Sequence, residues 1–426
     1  MRCNIGSIDK ERVGEIYAPL FFRSHMCSEC CPDMICLEAE YFTLNRILLQ
    51  SIALWPFQQS KLVQFQSIII LTILISAIVC QIPACMTSKL SFKDVLKALS
   101  RIFFLMILVV HYGSFRINIK SIKKLMQRLH CACTKLTDKT EIAIIQQYGW
   151  EAKRYTAILV VGFSGEGCAF FLSQIAVAFS DVVLPINESR LPRLQKTTEY
   201  IIGEQNFFPL ILPHIDTAMI IGVISWIAMG TLMIAYLQHT CGMFKIACYR
   251  IENAMEINIP KNSNLKIGRP ISEKIIYAVN IHREAMKLSE LLISRFDTMY
   301  FCLTVLAVIT LSLNFFEISE TVTSKEKITE AIFPTASVLV IILYVFFANF
   351  IGQNVTDHNN EIYNAAYNMR WYKCPLHEQR LILVLLQRKA KEFHLTCGGL
   401  FIASFECLAT LVKATMSYFT LIYSAR

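Results

Sequence analysis

Five stretches of this 426-residue chain run long enough without charge to cross a bilayer, for which a helix needs about 20 apolar residues. They are Leu62 to Ser88, Tyr155 to Asp181, Thr217 to Phe244, Thr298 to Phe316 and Ala331 to Thr356, and only Glu166 interrupts one of them. Two weaker candidates join them. Ile102 to Phe115 extends outward through Lys97 and Arg101, and Leu395 to Ser424 carries Glu406 and Lys413. A chain that is 54% hydrophobic and 17% charged, against roughly 25% charged in soluble domains, has no water-soluble way to bury so many runs. The expected fold class is an all-α membrane protein with seven transmembrane helices.

Lysine and arginine between the runs set the orientation, because basic loops are retained in the cytosol. Residues 116–154 carry nine, 245–295 carry nine and 357–392 carry six, whereas 181–216 carry three and 317–330 carry two. The three basic segments follow spans two, four and six, which places the N-terminus in the cytosol and the C-terminus outside. One segment disagrees. Lys89, Lys93, Lys97 and Arg101 lie on the outer side of this scheme, and snorkelling of long basic side chains to the headgroups is the expected reason. The sequon Asn187, Glu188, Ser189 falls in the long loop assigned outside and is the expected glycosylation site; a second, at Asn354, falls at a cytosolic helix end and is expected to stay silent. A receptor coupled to G proteins needs the opposite orientation.

Chemistry of the enzymatic kind has no motif here: there is no phosphate-binding glycine loop, no His-Glu-x-x-His and no Gly-x-Ser-x-Gly. No cofactor, no metal and no nucleic-acid partner is expected. The glycines of "GFSGEG", Gly162 to Gly167, sit inside span three and read as small residues for close helix packing. Glu166 is a buried carboxylate and so a candidate functional residue by its desolvation cost alone, with a hydrogen-bonded packing role the plainer alternative. Glu406 and Lys413, seven residues apart, share one face of the last span.

The outer halves of four spans mix bulky apolar residues with a few polar ones, as a pocket for a small lipophile requires. Candidate ligand-binding residues are Phe103, Phe104, Ile107 and His111 in span two; Gly167, Phe170, Phe171 and Gln174 in span three; Met219, Val223 and Trp226 in span four; and Ile341 and Tyr344 in span six. Any one of them, taken singly, is also an ordinary packing residue.

Before the first span, "YFTLNRILLQSIALWPFQ" sets Phe42, Ile47, Leu48, Ile52 and Trp55 against Asn45, Arg46, Gln50 and Gln59, the pattern of an interfacial helix. The first 40 residues contain no apolar signal core and read as a cytosolic extension, so the first span is expected to serve as its own insertion signal. Their Cys27, Cys30, Cys31 and Cys36, with His25, lack a second well-spaced pair for zinc and are expected to be free thiols. Four regions follow: 1–61, a cytosolic segment with the interfacial helix; 62–356, spans one to six with the pocket; 357–394, a cytosolic anchor helix; and 395–426, the last span.

On these residues the chain resembles the insect odorant receptors. The segment "IGQNVTDHNNEIYNAAYNMRWY" is similar to that family's glycine, tyrosine and tryptophan series at Gly352, Tyr367 and Trp371, and "CPLHEQRLILVLLQRKAKEFHLTCGGLF" is similar to its cytosolic helix and the glycine opening of its final span. "LVKATMSYFTLIYS" looks like its C-terminal signature, and "LNRILLQSIALWPF" resembles the segment before the first span in a form associated with ants, bees and wasps.

The resemblance implies the insect olfactory receptor channel fold and a ligand-gated nonselective cation channel in the plasma membrane of olfactory neuron dendrites. It implies a heterotetramer with an odorant co-receptor subunit, a small volatile or cuticular lipophilic ligand, membrane lipids around it and no G protein. It places the pore and gate at Ser417, Leu421 and Ser424, with Tyr418 and Phe419 packed backward, and the subunit anchor at Tyr367 and Trp371. A gustatory-type channel of the same superfamily is the alternative, weakened because "FTLIYSAR" lacks a Gln-Phe pair after Ser417 and Tyr418. A secondary transporter, with Glu166, Glu406 and Lys413 as a relay, is a further alternative, weakened because no internal repeat relates the two halves.

Overall fold

A computed structural model describes residues 41–58, 60–82, 92–183, 208–255, 268–323, 329–387 and 393–425, with the side chains of 165–183, 208–212, 268–270 and 329–330 left aside. Residues 1–40 with their cysteine cluster, and Asn187, lie outside the described residues. In chain order the elements are α1 (Thr43–Ser51), α2 (Lys61–Val79), α3 (Phe92–Thr134), α4 (Lys139–Val183), α5 (Phe208–Glu252), α6 (Gly268–Thr323), α7 (Thr329–Asn368), α8 (Leu376–Gln387), the strands β1 (Thr396–Cys397) and β2 (Phe401–Ile402), and α9 (Phe405–Ser424).

Six of the described helices are long and apolar enough to span a membrane: α2, α3, α5, α6, α7 and α9. α4 covers the expected third span. Most of these helices are far longer than the apolar runs that identify them. α6 has 56 residues, roughly 84 Å at the helical rise, against a hydrocarbon core of about 30 Å. The basic segments expected as loops are therefore largely helical: Arg116 to Thr134 continues α3, Lys245 to Glu252 ends α5, and Asp357 to Asn368 ends α7. Apolarity marks where lipid or core surrounds a helix, and backbone hydrogen bonding does not stop there.

α5 forms the centre. Burial covers 61% of its most apolar window, compared with 6% for α9, which leans on the rim of the bundle. Hydroxyl residues inside the apolar helices turn back onto the preceding turn. Ser225 donates to the Ile221 carbonyl (2.7 Å), Thr231 to Ile227 (2.8 Å) and Thr310 to Leu306 (2.7 Å), so each polar group is satisfied without leaving its own helix.

Polar side chains cross between helices at both ends of the bundle. At one end Ser100 donates to Asn314 Oδ1 (2.7 Å), and Lys93 lies 3.7 Å from the buried Glu320, joining α3 to α6. That pair accounts for one member of the anomalous basic segment. Lys93 meets a carboxylate on the next helix, where snorkelling to headgroups was expected, and Arg101 lies 5.8 Å above the Phe333 ring. At the other end Arg250 grips Glu141 through Nε (2.6 Å) and Nη2 (2.8 Å), and the Tyr148 hydroxyl meets His358 Nε2 at 2.7 Å.

Four sequence expectations change. The amphipathic face read for residues 41–58 is not the one formed: Phe42, Leu49, Ile52 and Trp55 are buried in the protein core together with Asn45, while Ile47 is exposed. The stretch 357–394, expected as one helix, is broken: α7 ends at Asn368, a 3-10 turn follows at Trp371–Lys373, α8 covers Leu376–Gln387, and parts of it join a small separate core. There the ends of α5 and α7, the start of α6, and α8 meet through Cys248, Ile251, Ile275, Ile362, Met369 and Leu385. The last span begins at Phe405, because 395–403 form an antiparallel hairpin with Thr396 opposite Ile402 and Cys397 opposite Phe401. Gly162 is exposed and an added Cβ there would meet nothing within 4 Å, so it makes no close helix contact.

Candidate ligand cavity

A cavity of about 120 Å³ lies within the bundle, bounded by α3 to α7, the hairpin and the first turns of α9. Each helix reaches it through one face at helical spacing. α5 presents Val223, Trp226, Ile227, Gly230, Thr231 and Ile234; α6 presents Tyr300, Leu303, Thr304 and Ala307; α7 presents Ile341, Tyr344, Val345 and Ala348. Leu159 and Phe163 of α4 and Ile107 of α3 complete the wall. The hairpin forms the floor with Leu395, Cys397, Phe401 and Ala403, and Cys407 and Leu411 of α9 stand beside it.

An aromatic cluster closes one side. The Trp226 and Tyr344 rings lie 4.6 Å apart at 41°, the Tyr344 hydroxyl meets His111 Nε2 at 2.7 Å, and Phe104 packs edge-on against Trp226 at 6.2 Å. Two buried polar atoms in this cluster, Trp226 Nε1 and His111 Nδ1, have no hydrogen-bond partner among the described residues. Trp226 Nε1 is covered and has the Tyr344 hydroxyl beside it, so it is not an open donor facing the cavity. The remaining lining is mostly aliphatic. An apolar cavity of comparable size, about 150 Å³, stays dry and holds a molecule as small as benzene. The arrangement suits one compact lipophile, held mainly by burial and oriented by few hydrogen bonds.

Of the residues expected to bind ligand, Ile107, Val223, Trp226, Ile341 and Tyr344 line the cavity. His111 and Phe104 pack directly behind that wall. Phe103 and Met219 are not in the lining and are partly buried against the surrounding core. The side chains of Gly167, Phe170, Phe171 and Gln174, and that of Glu166, lie outside the described residues. The sequence reading missed the whole contribution of α6 and of the hairpin. Tyr300, Thr304 and Ala307 sit at i, i+4 and i+7 in an apolar run, a recognisable helical face. The hairpin had one signal, the pair Gly398 and Gly399, whose φ values of 63° and 65° belong to a tight turn.

The last helix starts from a defined cap. Ser404 Oγ accepts from the Cys407 amide (3.2 Å), and the Ser404 amide donates to Asn349 Oδ1 (3.1 Å). An added Cβ at Gly352 would collide with Ala403, so α7 needs a glycine for the hairpin to lie this close. Farther along, Ser417, Leu421 and Ser424 are exposed on one face, with Leu421 63% exposed. Phe419 packs against Phe315 at 6.2 Å, but Tyr418 is 56% exposed, so only one of the two rings turns inward within this chain. Glu406 and Lys413 are exposed as well. Tyr367 is 70% exposed at the end of α7, and Trp371, in the short 3-10 turn Trp371–Lys373, is partly buried against the small second core.

Comparison with known proteins places this geometry. A family model described as 7tm Odorant receptor matches residues 91–416. Among solved structures, the chain is similar to the insect olfactory receptor OR5 from Machilis hrabei in complex with eugenol, at 15% identity and a TM-score of 0.72, covering 92% of this chain and 99% of that one. A second structure of the same receptor matches at 15% identity and a TM-score of 0.72, covering 91% and 98%. A search of curated proteins found no match.

Proposed function

The chain belongs to the 7tm odorant receptor family, and from that membership we propose that it is the odor-tuned subunit of a ligand-gated, nonselective cation channel assembled with a co-receptor subunit. The observation that carries the reading is the cavity. It is mainly apolar and lined by α3 to α7 with the first turns of α9, and its floor is the hairpin that runs directly into that last helix. A molecule held there touches the element proposed to line the pore.

The ligand is a compact lipophile, of single-ring size unless the walls move. Orientation follows the distribution of lysine and arginine: N-terminus cytosolic, seven spans, C-terminus outside. The last helices of four subunits, α9 of this chain and its counterpart in the co-receptor, surround the pore with Leu421 as this chain's part of an apolar constriction, a type of gate that closes by dewetting. The exposed face of Ser417, Leu421 and Ser424 supports this, since a pore-facing surface has no partner within one subunit. Tyr367 and Trp371, with α8, form the anchor between subunits.

Co-expression with an insect co-receptor in a cell without its own odorant receptors tests the proposal. A panel of single-ring volatiles, with eugenol included because a structural relative was solved with it, is expected to evoke cation current that neither subunit alone supports in full. Surface-delivered protein that stays silent to the whole panel would count against the channel reading.

A further inference from the structure

The hairpin is held at two points, and they belong to different helices. At its tip the Gly398 amide donates to Asp297 Oδ1 of α6 at 2.6 Å. At its exit the Ser404 amide donates to Asn349 Oδ1 of α7 at 3.1 Å, and the Asn349 amide in turn donates to the Val345 carbonyl at 2.8 Å. Close packing reinforces both points. An added Cβ at Gly398 would come within 2.8 Å of the Phe301 side chain, and one at Gly352 would collide with Ala403. The hairpin exposes Leu395, Cys397 and Phe401 to the cavity, and the chain then enters α9 directly after the second point. Beyond its first turns α9 packs on α6, where the buried Thr415 carbonyl accepts from Ser312 Oγ at 3.1 Å and Phe419 meets Phe315.

We infer that residues 395–403 act as a lever that converts occupancy of the cavity into a displacement of α9, with Asp297 and Asn349 as the positioning residues that fix its two ends. A loose loop would absorb a push from the cavity. A hairpin tied to α6 at its tip and to α7 at its exit passes the push to the helix it leads into, and the Ser312–Thr415 contact is the first to yield. The inference rests on the proposed channel function for its physiological meaning, but the coupling itself is a property of this chain.

Hydrogen–deuterium exchange over residues 412–424, the turns of α9 beyond the cavity lining, reads that coupling in the full-length protein in lipid nanodiscs. Two probes fill the cavity: anisole, a single ring with an acceptor oxygen, and the substitution Ala307→Leu, which fills it from the wall and needs no ligand. Either is expected to speed exchange in 412–424 severalfold. Asp297→Ala removes the tip bond and is expected to abolish the severalfold response. Asp297→Asn keeps an acceptor oxygen and restores the response; a merely structural role would alter the unfilled baseline and leave the filled-minus-unfilled difference in place. If Ala307→Leu fails to fold, Thr304→Leu replaces it. Exchange in 412–424 that is unmoved by filling, or moved equally in Asp297→Ala, overturns the lever. Intact coupling in a protein that never conducts in the co-expression assay would instead overturn the channel reading and leave the lever standing.

Discussion

His111 and Tyr344 lie 233 residues apart in sequence, yet the imidazole Nε2 and the phenol oxygen meet at 2.7 Å beside the cavity wall. The bond joins α3 to α7 and fixes the Tyr344 ring against Trp226. Tyr344→Phe keeps the ring and removes the bond. A net contribution of about 0.5 to 1.5 kcal/mol then predicts a rise in half-maximal ligand concentration of roughly two- to tenfold, with the larger effects for oxygenated ligands. Concentration–response curves for an aromatic ether and its hydrocarbon analogue check this, and equal sensitivity of the two ligands to the substitution would remove Tyr344 from ligand orientation.

Lys93 of α3 lies 3.7 Å from Glu320 of α6 at one end of the bundle, with Glu320 only 3% exposed. Removing the lysine leaves a buried carboxylate with a lost counter-charge, which costs more than the ~0 to 1 kcal/mol of an exposed pair. Lys93→Met is expected to lower thermal stability and surface delivery, and the double substitution Lys93→Met with Glu320→Met to recover most of the loss. Thermal unfolding of the detergent-solubilised variants measures both. A double variant no better than the single one would show that the pair contributes nothing of its own.

The apolar runs were legible because a membrane demands continuous apolarity, and each falls within a helix, except that the first passes the end of α2 at Val79 into residues outside the described ones and the last begins in the hairpin. Helix length was not, since nothing in the charge of Arg116 or Lys245 signals whether the backbone keeps its helical hydrogen bonds beyond the bilayer. Five cavity residues, Ile107, Val223, Trp226, Ile341 and Tyr344, were found from the mixture of bulky and polar residues in outer helix halves. That criterion could not find Tyr300 or Thr304, which lie in a run read only as a span. Phe103 and Met219 lie one turn before Ile107 and Val223 on the same helix faces yet outside the lining, because periodicity within one helix gives the face but not how far along it the cavity reaches. The Lys93–Glu320 pair joins residues 227 positions apart by number, and only the packing of α3 on α6 brings them together.

Asn187 decides orientation. With the N-terminus in the cytosol, the loop that carries it faces the lumen during synthesis and the sequon is modified. The wild-type chain is expected to lose apparent mass on glycosidase treatment and Asn187→Gln to be insensitive, while an introduced sequon near the N-terminus stays bare. Modification at the N-terminal sequon in place of Asn187 would invert the topology and remove the proposed pore arrangement with it.

Leu421 tests the gate separately from the ligand. Its side chain is 63% exposed on the face shared with Ser417 and Ser424, one turn to either side. In a ring of such faces an apolar collar excludes water by dewetting, and a small polar side chain lets water and ions back in. Leu421→Ser is therefore expected to raise basal current in the absence of ligand when co-expressed with the co-receptor. The exposed site makes folding insensitive to the change, because little packing within the chain is lost. Met416→Ser, on an exposed position off the Ser417, Leu421, Ser424 face, serves as the control and is expected to leave basal current near wild type. Basal current unchanged in Leu421→Ser at equal surface expression, or raised equally by both substitutions, would move the constriction away from Leu421.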